Sequence, residues 1–228
     1  MPEWSGNDCS CVSNAEGAGD AGYQSLWGAT QNSINVVFAQ LILEVGPENV
    51  VEAAHDMGIE SELPAVPSLT LGTADVTPIE MASAYQTLAN DGRHCESYAV
   101  AKVVDADGVL YRHKPSCKQV ISPDIAHLVT AMMQGVVSGG TGTAAALGTW
   151  PVAGKTGTTQ DYTNAWFVGF TRQVSTAVWV GFPGTPDPLS NYFGGSVFGG
   201  TLAAPIWHDY MLAATRGMPP KGFHGVHA

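Results

Sequence analysis

A single lysine in a segment rich in glycine and threonine is the strongest candidate for chemistry in this sequence. The segment reads AGKTGTT over residues 153–159, and Gly-Lys-Thr also occurs in phosphate-binding loops. Such a loop needs a glycine five residues before Gly154, but that position is Thr149, and a tryptophan and a proline follow where the loop must be pliable. The spacing therefore excludes a nucleotide-binding loop around Lys155.

Lys-Thr-Gly on a β-strand is instead one of three motifs of penicillin-binding proteins and serine β-lactamases, together with Ser-x-x-Lys and a Ser-x-Asn type element. Ser33-Ile34-Asn35 supplies the Ser-x-Asn element. Further segments that match in order are 14–17 (NAEG), 76–78 (VTP), 89–92 (ANDG), 140–142 (GTG) and 166–169 (WFVG). Each motif alone is weak. In this order, the chain resembles the class A, bifunctional branch of the penicillin-binding transpeptidase family over nearly its whole length.

The resemblance implies a binding site for a peptidoglycan stem peptide ending in D-Ala-D-Ala, the acyl donor of that family. Lys155 would supply positive potential, while the hydroxyls of Thr156 and Thr158 would hydrogen-bond the terminal carboxylate of the peptide or of a β-lactam. Gly157 would let the substrate backbone approach closely, and the N–H of Thr158 would be the second oxyanion-hole donor. An edge strand could also pair with the extended peptide. The alternative for Lys155 is a solvated lysine on an edge strand.

The same resemblance assigns roles to the Ser-x-Asn element. Ser33 would relay a proton towards the leaving group, and Asn35 would hold the substrate amide and the lysine of the Ser-x-x-Lys motif. Without the resemblance, both residues are typical of simple helix capping. The candidate catalytic residues are therefore Ser33, Asn35 and Lys155, and the resemblance implies neither a metal nor a cofactor.

The nucleophile of the family is a serine followed three residues later by a lysine, and this sequence lacks that pair. The lysines are Lys102, Lys114, Lys118, Lys155 and Lys221, and the residues three positions before them are Ala99, Tyr111, Pro115, Val152 and Met218. We therefore expect a C-terminal portion of a D,D-transpeptidase domain, whose N-terminal part is missing and which is inactive by itself. The alternative is a non-catalytic module or remnant that recognises stem peptides or penicillin.

A serine β-lactamase is a closer enzyme alternative, but the sequence gives it little support. A deacylating glutamate would have to lie between the Ser-x-Asn and Lys-Thr-Gly elements, where Glu80 and Glu96 occur. Glu80 follows Thr77 by three residues and is interpreted as a helix-capping residue.

Charge and hydropathy limit the possible partners. Nine Lys and Arg against 20 Asp and Glu give a formal net charge of -11, which argues against a nucleic-acid partner. No apolar run approaches the roughly 20 residues of a membrane span. The resemblance implies that a missing N-terminal part of the same synthase provides a membrane anchor, and that the domain works on the extracytoplasmic face of the bacterial plasma membrane.

The four cysteines also bear on the compartment. Cys95 and Cys117 lie on either side of a predicted hairpin, which favours a disulfide between them and an oxidising compartment. The alternative is that all four cysteines are reduced thiols, because spacing alone does not fix pairing. A zinc site is disfavoured because the usual paired CxxC spacing is absent.

The pattern of apolar residues predicts an α+β fold with adjacent antiparallel strands and helices. The resemblance implies that this is the antiparallel sheet flanked by helices of β-lactamases and transpeptidases, with the N-terminal part of the domain missing. We expect residues 1–24 to form an irregular lead-in, 25–216 the transpeptidase portion and 217–228 a flexible tail. Helices are predicted from an N-cap at Ser33 to Gly46, over 47–58, from Pro78 to 89, from Pro123 to 139 and over 205–214. Strands are predicted over 99–104, 109–111, 152–159, 165–170 and 175–182. The buried faces of the first and fourth helices are predicted to be Ile34, Phe38, Leu41, Ile42 and Val45, and Ile125, Val129, Met132 and Val136, respectively.

Overall fold

The computed structural model describes residues 12–14 and 22–225. Its helices are α1 (Leu26–Asn32), α2 (Asn35–Val45), α3 (Pro47–Asp56), α4 (Pro78–Ala89), α5 (Pro123–Gly139), α6 (Ser190–Phe193) and α7 (Ala204–Ala214). Its strands are β1 (Arg93–Cys95), β2 (Lys102–Asp105), β3 (Gly108–Arg112), β4 (Cys117–Gln119), β5 (Ala153–Thr158), β6 (Asn164–Phe170) and β7 (Ser175–Gly181). Short 3₁₀ segments cover Pro67–Leu71, Thr143–Ala145 and Gln160–Tyr162, and a π-helical turn, Gly199–Ala203, runs directly into α7.

The main sheet has the order β5-β6-β7, and both pairs are antiparallel. Lys155 lies opposite Val168, and Gly157 lies opposite Trp166. Among the described strands, β5 pairs only with β6, so the strand that carries Lys155 is an edge strand, as predicted. The predicted three strands and the α+β class are confirmed.

Helices cover both faces of this sheet because residues on β6 point alternately to either side. Phe167 packs edge-to-face on Trp207 of α7, with ring centroids 5.2 Å apart. Phe170 faces the opposite side and packs against Tyr85 of α4 and the α5 residue Ala126. Both phenylalanines are fully buried, and each burial contributes roughly 1.5–3 kcal/mol of hydrophobic stabilisation. The core therefore fixes β6 and, through its pairing, β5.

The start of α2 differs from the prediction. Ser33 was expected to be the N-cap of α2, but a preceding helix, α1, ends at Asn32, and Ser33 adopts a left-handed conformation (φ 56°, ψ 51°) as the C-cap of α1. The Ile34 N–H bonds back to the Ala29 carbonyl at 2.9 Å, the 6→1 bond of a Schellman motif, and Ile34 then becomes the N-cap of α2. The sequence hides α1 because this seven-residue helix contains a glycine and leaves two large side chains, Leu26 and Trp27, exposed.

Two predicted helix faces also need correction. Val45 at the end of α2 and Ile125 at the start of α5 are 44% and 55% exposed. The buried face of α5 consists mainly of small residues: Ala126, Thr130, Ala131, Gly135, Val136 and Val137. Small side chains let α5 pack closely on β5 and α1. Residue size rather than hydrophobicity therefore decided which face turned inward.

Other expectations are confirmed. The Thr77 and Glu80 side chains form the predicted capping box at the start of α4. The predicted hairpin β2–β3 forms, and the predicted disulfide between Cys95 and Cys117 is present. It joins two short paired strands, β1 and β4, which the sequence analysis did not predict. Cys9 and Cys11 lie outside the described residues.

The predicted flexible tail has no helix or strand over residues 217–225. Nevertheless, Phe223 packs edge-to-face on Phe170, with ring centroids 5.4 Å apart, so this part of the tail contacts the core. The division into lead-in, domain and tail stays a prediction. Within residues 12–14 and 22–225, no helix is both long enough and apolar enough to cross a membrane.

Candidate active site

The structure brings together two of the predicted catalytic residues, which are 122 residues apart in sequence. Lys155 Nζ donates a hydrogen bond of 2.7 Å to Ser33 Oγ and another of 3.1 Å to the Thr156 carbonyl. Buried residues just before the lysine, Val152 to Gly154, hold β5 against the core. The left-handed turn between α1 and α2 aims Ser33 at the strand. A non-glycine residue in that region costs roughly 1–3 kcal/mol, a strain that occurs preferentially at functional sites.

Burial lowers the pKa of Lys155 to about 8. Removing an ammonium group from water disfavours its charged form, which is why the pKa falls. At neutral pH the lysine is still mainly protonated, so its Nζ can only donate. Ser33 Oγ must therefore accept this bond, and its own proton remains available for donation elsewhere. Such a serine can pass a proton onward.

The third predicted catalytic residue, Asn35, is the first residue of α2. Its Nδ2 donates to the Ser13 carbonyl at 3.0 Å, while Asn14 Oδ1 accepts from the N–H of Val36 at 3.2 Å. The structure thus ties Asn35 to the segment 12–14, whereas Ser33 contacts Lys155 directly.

The hydroxyl groups of the two threonines next to Gly157 each have a hydrogen-bond partner. Thr156 Oγ1 lies 2.6 Å from Thr141 Oγ1, and Thr158 Oγ1 accepts from the backbone N–H of Gly199 at 3.0 Å. Thr158 is exposed and Thr156 is half-buried. Both hydroxyls are therefore held in place from outside β5.

Glycine–glycine contacts at β5 were missed in the sequence. A Cβ on Gly199 would lie 2.5 Å from the Gly157 carbonyl oxygen and closer still to that of Trp166. A Cβ on Gly200 would overlap the Thr141 carbonyl oxygen. The paired glycines in the FGGT stretch, residues 198–201, are the sequence signal of this close approach. Only glycine at these positions lets the π-helical turn reach β5 without displacement.

Glu80 does not belong to this site. Its carboxylate accepts from the backbone N–H and hydroxyl of Thr77, both at 2.7 Å, and from residues 60 and 61. These hydrogen bonds, with Thr77 the largest contributor, lower the pKa of Glu80 to about 2. A carboxylate of such low basicity is a poor general base, and its capping role is confirmed.

The part of the chain that the structure describes contains no group of three or more His, Cys, Asp or Glu residues suited to hold a metal ion. The arrangement is instead centred on a lysine, with the Ser33 hydroxyl on one side and the threonine hydroxyls of an edge strand on the other. Such a site suits an anionic, extended peptide ligand.

Comparison with known proteins identifies the family of this chain. The family model for the penicillin binding protein transpeptidase domain matches residues 12–211. Penicillin-binding protein 1A of Aquifex aeolicus is 38% identical over 196 residues, which cover 86% of this chain and 26% of that protein. The same protein of Neisseria gonorrhoeae is 40% identical over 210 residues, which cover 89% of this chain and 26% of that protein. The chain thus spans about a quarter of the length of these curated relatives.

Solved structures show the same relationship. Penicillin-binding protein PonA1 from Mycobacterium tuberculosis superposes with a TM-score of 0.82 at 32% identity, covering 93% of this chain and 61% of that one. Penicillin-binding protein 1A from Haemophilus influenzae superposes with a TM-score of 0.79 at 25% identity, covering 88% of this chain and 35% of that one. Since the family model spans most of the residues and 1A relatives match nearly the whole chain, this chain belongs to the penicillin-binding protein transpeptidase domain family, in its class A branch.

Proposed function

We propose that this chain forms the carboxylate-binding and proton-relay part of a serine D,D-transpeptidase domain that cross-links peptidoglycan stem peptides. The observation that carries the proposal is the 2.7 Å hydrogen bond from Lys155 Nζ to Ser33 Oγ, on a strand that pairs along one edge only among the strands that the structure describes. A structure of the relative PonA1 in complex with penicillin V, 34% identical over 93% of this chain, supports a ligand of this class.

The reaction is acyl transfer. A serine oxygen attacks the carbonyl of the penultimate D-Ala, the peptide bond to the last D-Ala breaks, and the departing amine takes up a proton. Ser33 is suited to deliver that proton because Lys155 occupies its oxygen as a donor. A second amine then attacks the acyl ester, releases the serine and completes the cross-link.

The nucleophilic Ser-x-x-Lys pair is not in this sequence, so the proposal assigns it to a preceding part of the same synthase. That part would also supply the membrane anchor. The Cys95–Cys117 disulfide supports an oxidising compartment outside the cytoplasm. The outer face of the plasma membrane is proposed from the family. Stem peptides and β-lactams are the proposed ligands, and nucleic acid is not.

The absence of the Ser-x-x-Lys motif from this sequence also favours a second candidate function. The chain would then be a module that recognises stem peptides or penicillin without forming a covalent bond. Incubation with penicillin V followed by intact-protein mass spectrometry separates the two. The 228-residue chain should remain unmodified. A protein extended to the in-frame upstream coding sequence should gain one penicillin mass, and Lys155→Ala should slow that gain about a hundredfold or more, since electrostatic groups of this kind contribute at this scale.

The matched control is Lys221→Ala in the C-terminal tail, which should label at the normal rate. Absence of labelling in the extended protein, or an in-frame stop codon directly before Met1, would leave the recognition module as the function. A covalent adduct on the 228-residue chain alone would contradict both assignments.

A further inference from the structure

Helix α1, which ends beside Ser33, approaches the end of α5 unusually closely. The contact is made by Gln31, two residues before Ser33, against three glycines. A Cβ on Gly135 would lie 3.4 Å from Gln31 Oε1, and a Cβ on Gly139 would lie 3.4 Å from Gln31 Nε2. A Cβ on Gly140, the C-cap of α5, would overlap the Gln31 carbonyl oxygen. The closest approach of the two helices is therefore at Gly140.

The contact at Gly140 is backbone against backbone. The Gln31 side-chain amide can rotate away from a methyl group on Gly139, but the Gln31 carbonyl is part of α1 and accepts from the Thr141 N–H at 3.2 Å. Gly140 is held on its own side too, because its N–H donates to the Val136 carbonyl at 3.2 Å. Its Cβ would also lie 2.9 Å from Val136 Cα. A side chain at position 140 must therefore displace the end of α1.

Helix α5 supports both partners of the hydrogen bond between Lys155 and Ser33. Strand β5, which carries Lys155, packs on α5, and so does α1, whose C-cap is Ser33. Val136 of α5 is fully buried, so this helix has no free space into which it can retreat. Close-packed interiors of this kind transmit a displacement rather than absorb it. The 2.7 Å separation of Nζ and Oγ therefore depends on where each element rests on α5.

The displacement that a side chain would cause is large compared with this hydrogen bond. A carbon–oxygen contact normally spans about 3.3 Å, so a methyl group on Gly140 would push the Gln31 carbonyl back by about 1 Å. Ser33 would move with α1, because its N–H donates to the Thr30 carbonyl. A hydrogen bond of 2.7 Å that lengthens by this amount is lost.

We propose that Gly140 is a positioning residue for the proton relay of the transpeptidase reaction. Because it lacks a side chain, it admits the Gln31 carbonyl and so sets the distance across which Lys155 donates to Ser33. Gly140 acts through Ser33 rather than on the substrate. The inference rests on the proposed function for the relay role of Ser33, whereas the geometry that it assigns to Gly140 can be tested without that role.

The first test follows the titration of Lys155 in the 228-residue chain by NMR of ¹³C-labelled lysine side chains. Gly140→Ala should lower the pKa of Lys155 from about 8 by as much as Ser33→Ala does, because the protonated amine loses the same acceptor. In a chain that already carries Ser33→Ala, adding Gly140→Ala should cause no further change. Gly139→Ala is the matched control, one residue away, and should titrate like the wild type.

Gln31→Ala provides the same test if Gly140→Ala does not fold, since alanine is favourable within a helix. It removes the side chain that packs on α5 and holds the end of α1 less closely, so the pKa of Lys155 should fall by part of the Ser33→Ala change. A Lys155 titration that is unchanged in these variants, or that shifts equally with and without Ser33, would overturn the inference. The proposed function would then remain intact.

The second test measures the rate of labelling by penicillin V in the protein extended to the upstream coding sequence. Gly140→Ala and Ser33→Ala should both slow labelling by about a hundredfold, the lower end of what a positioned proton donor contributes. Gly139→Ala should label at the normal rate. If Gly140→Ala and Ser33→Ala shift the Lys155 titration but label normally, Ser33 is not a relay, and both the relay in the proposed function and the catalytic role of Gly140 are overturned.

Discussion

Lys155 and Ser33 are joined by a hydrogen bond of 2.7 Å, although one lies on an edge strand and the other in a left-handed turn between two helices. Hydrophobic packing does not explain the position of either polar side chain. The lysine is largely removed from water and its pKa falls to about 8, while the serine occupies a strained backbone conformation. Two local costs that meet at one hydrogen bond indicate a site maintained for chemistry rather than for stability.

Ser33→Ala should lower the pKa of Lys155 further below 8. The serine oxygen accepts from the charged amine and so favours its protonated form, and its removal leaves burial less opposed. NMR titration of lysine side chains labelled with ¹³C measures this directly. Titration of Lys155 at the same pH in both chains would show that the bond contributes nothing to the charged state.

Lys155→Met should stabilise the chain at neutral pH while abolishing ligand binding. The lysine has a pKa of about 8 when folded and an ordinary value of 10.5 when unfolded, so between these values the unfolded chain binds more protons. Wild-type stability should therefore rise as the pH increases from 8 to 10.5, by at most roughly 3 kcal/mol. Methionine at this position should remove that rise. Urea unfolding at pH 7 and pH 10.5 tests it, and parallel profiles for both chains would contradict it.

The sequence revealed the features that depend on local chemistry. Strands β5 to β7 were predictable because β-prone residues are separated by turn residues, and α4 because Thr77, Pro78 and Glu80 together form a capping signature. The family motifs predicted that Lys155 and Ser33 belong to one site, but not the hydrogen bond between them. No local pattern links two residues separated by 122 positions.

Features that depend on tertiary contacts were not predictable. Ser33 was misassigned as an N-cap because serine is common there, and its left-handed conformation is sustained by contacts across the fold. The inward face of α5 is set by the small size of its residues, which a hydrophobicity pattern does not weigh. The hydrogen bonds of Thr141 and Gly199 to β5 could not be predicted, because they join residues that are 15 and 41 positions apart in the sequence.

Acid should destabilise the chain through Glu80. Its pKa is lowered from 4.5 to about 2 by the Thr77 and Ser61 hydrogen bonds, so its stabilising contribution is complete above pH 4.5 and is lost as the pH falls to 2. Glu80→Gln cannot ionise and should lack this component, so the stability gap between the two chains should close over that range. Thermal unfolding at several pH values measures the difference in stability between the two chains. A difference that persists at pH 2 would show that it comes from the shape of the side chain rather than from its charge.

Reduction of the Cys95–Cys117 disulfide should destabilise the chain by about 3 kcal/mol, the value for a closed loop of this size. The double variant Cys95→Ser, Cys117→Ser should unfold at the same denaturant concentration with or without reductant. Ligand binding at Lys155 should change little, since the bridge joins β1 to β4 outside the main sheet. A large loss of binding on reduction would instead show that these strands support the site.

Gly199→Ala should weaken both stability and ligand binding. A methyl group there would overlap the backbone oxygens of Gly157 and Trp166, so either the π-helical turn or β5 must shift. Overpacking of this kind typically costs about 1–3 kcal/mol, and any shift also breaks the 3.0 Å hydrogen bond from Gly199 to Thr158.

Gly222→Ala is the matched control, because a Cβ at that position meets no atom within 4 Å and should leave both properties unchanged. The effects of Gly199→Ala on stability and on ligand binding can be separated with two synthetic peptides that end in D-Ala-D-Ala, one with a free C-terminal carboxylate (the acid) and one with a C-terminal amide. If the turn positions Thr158, the variant should lose affinity for the acid more than for the amide. If the variant loses stability but keeps its preference for the acid, the π-helical turn contributes to packing only. The orientation of the Thr158 hydroxyl would then not depend on the turn.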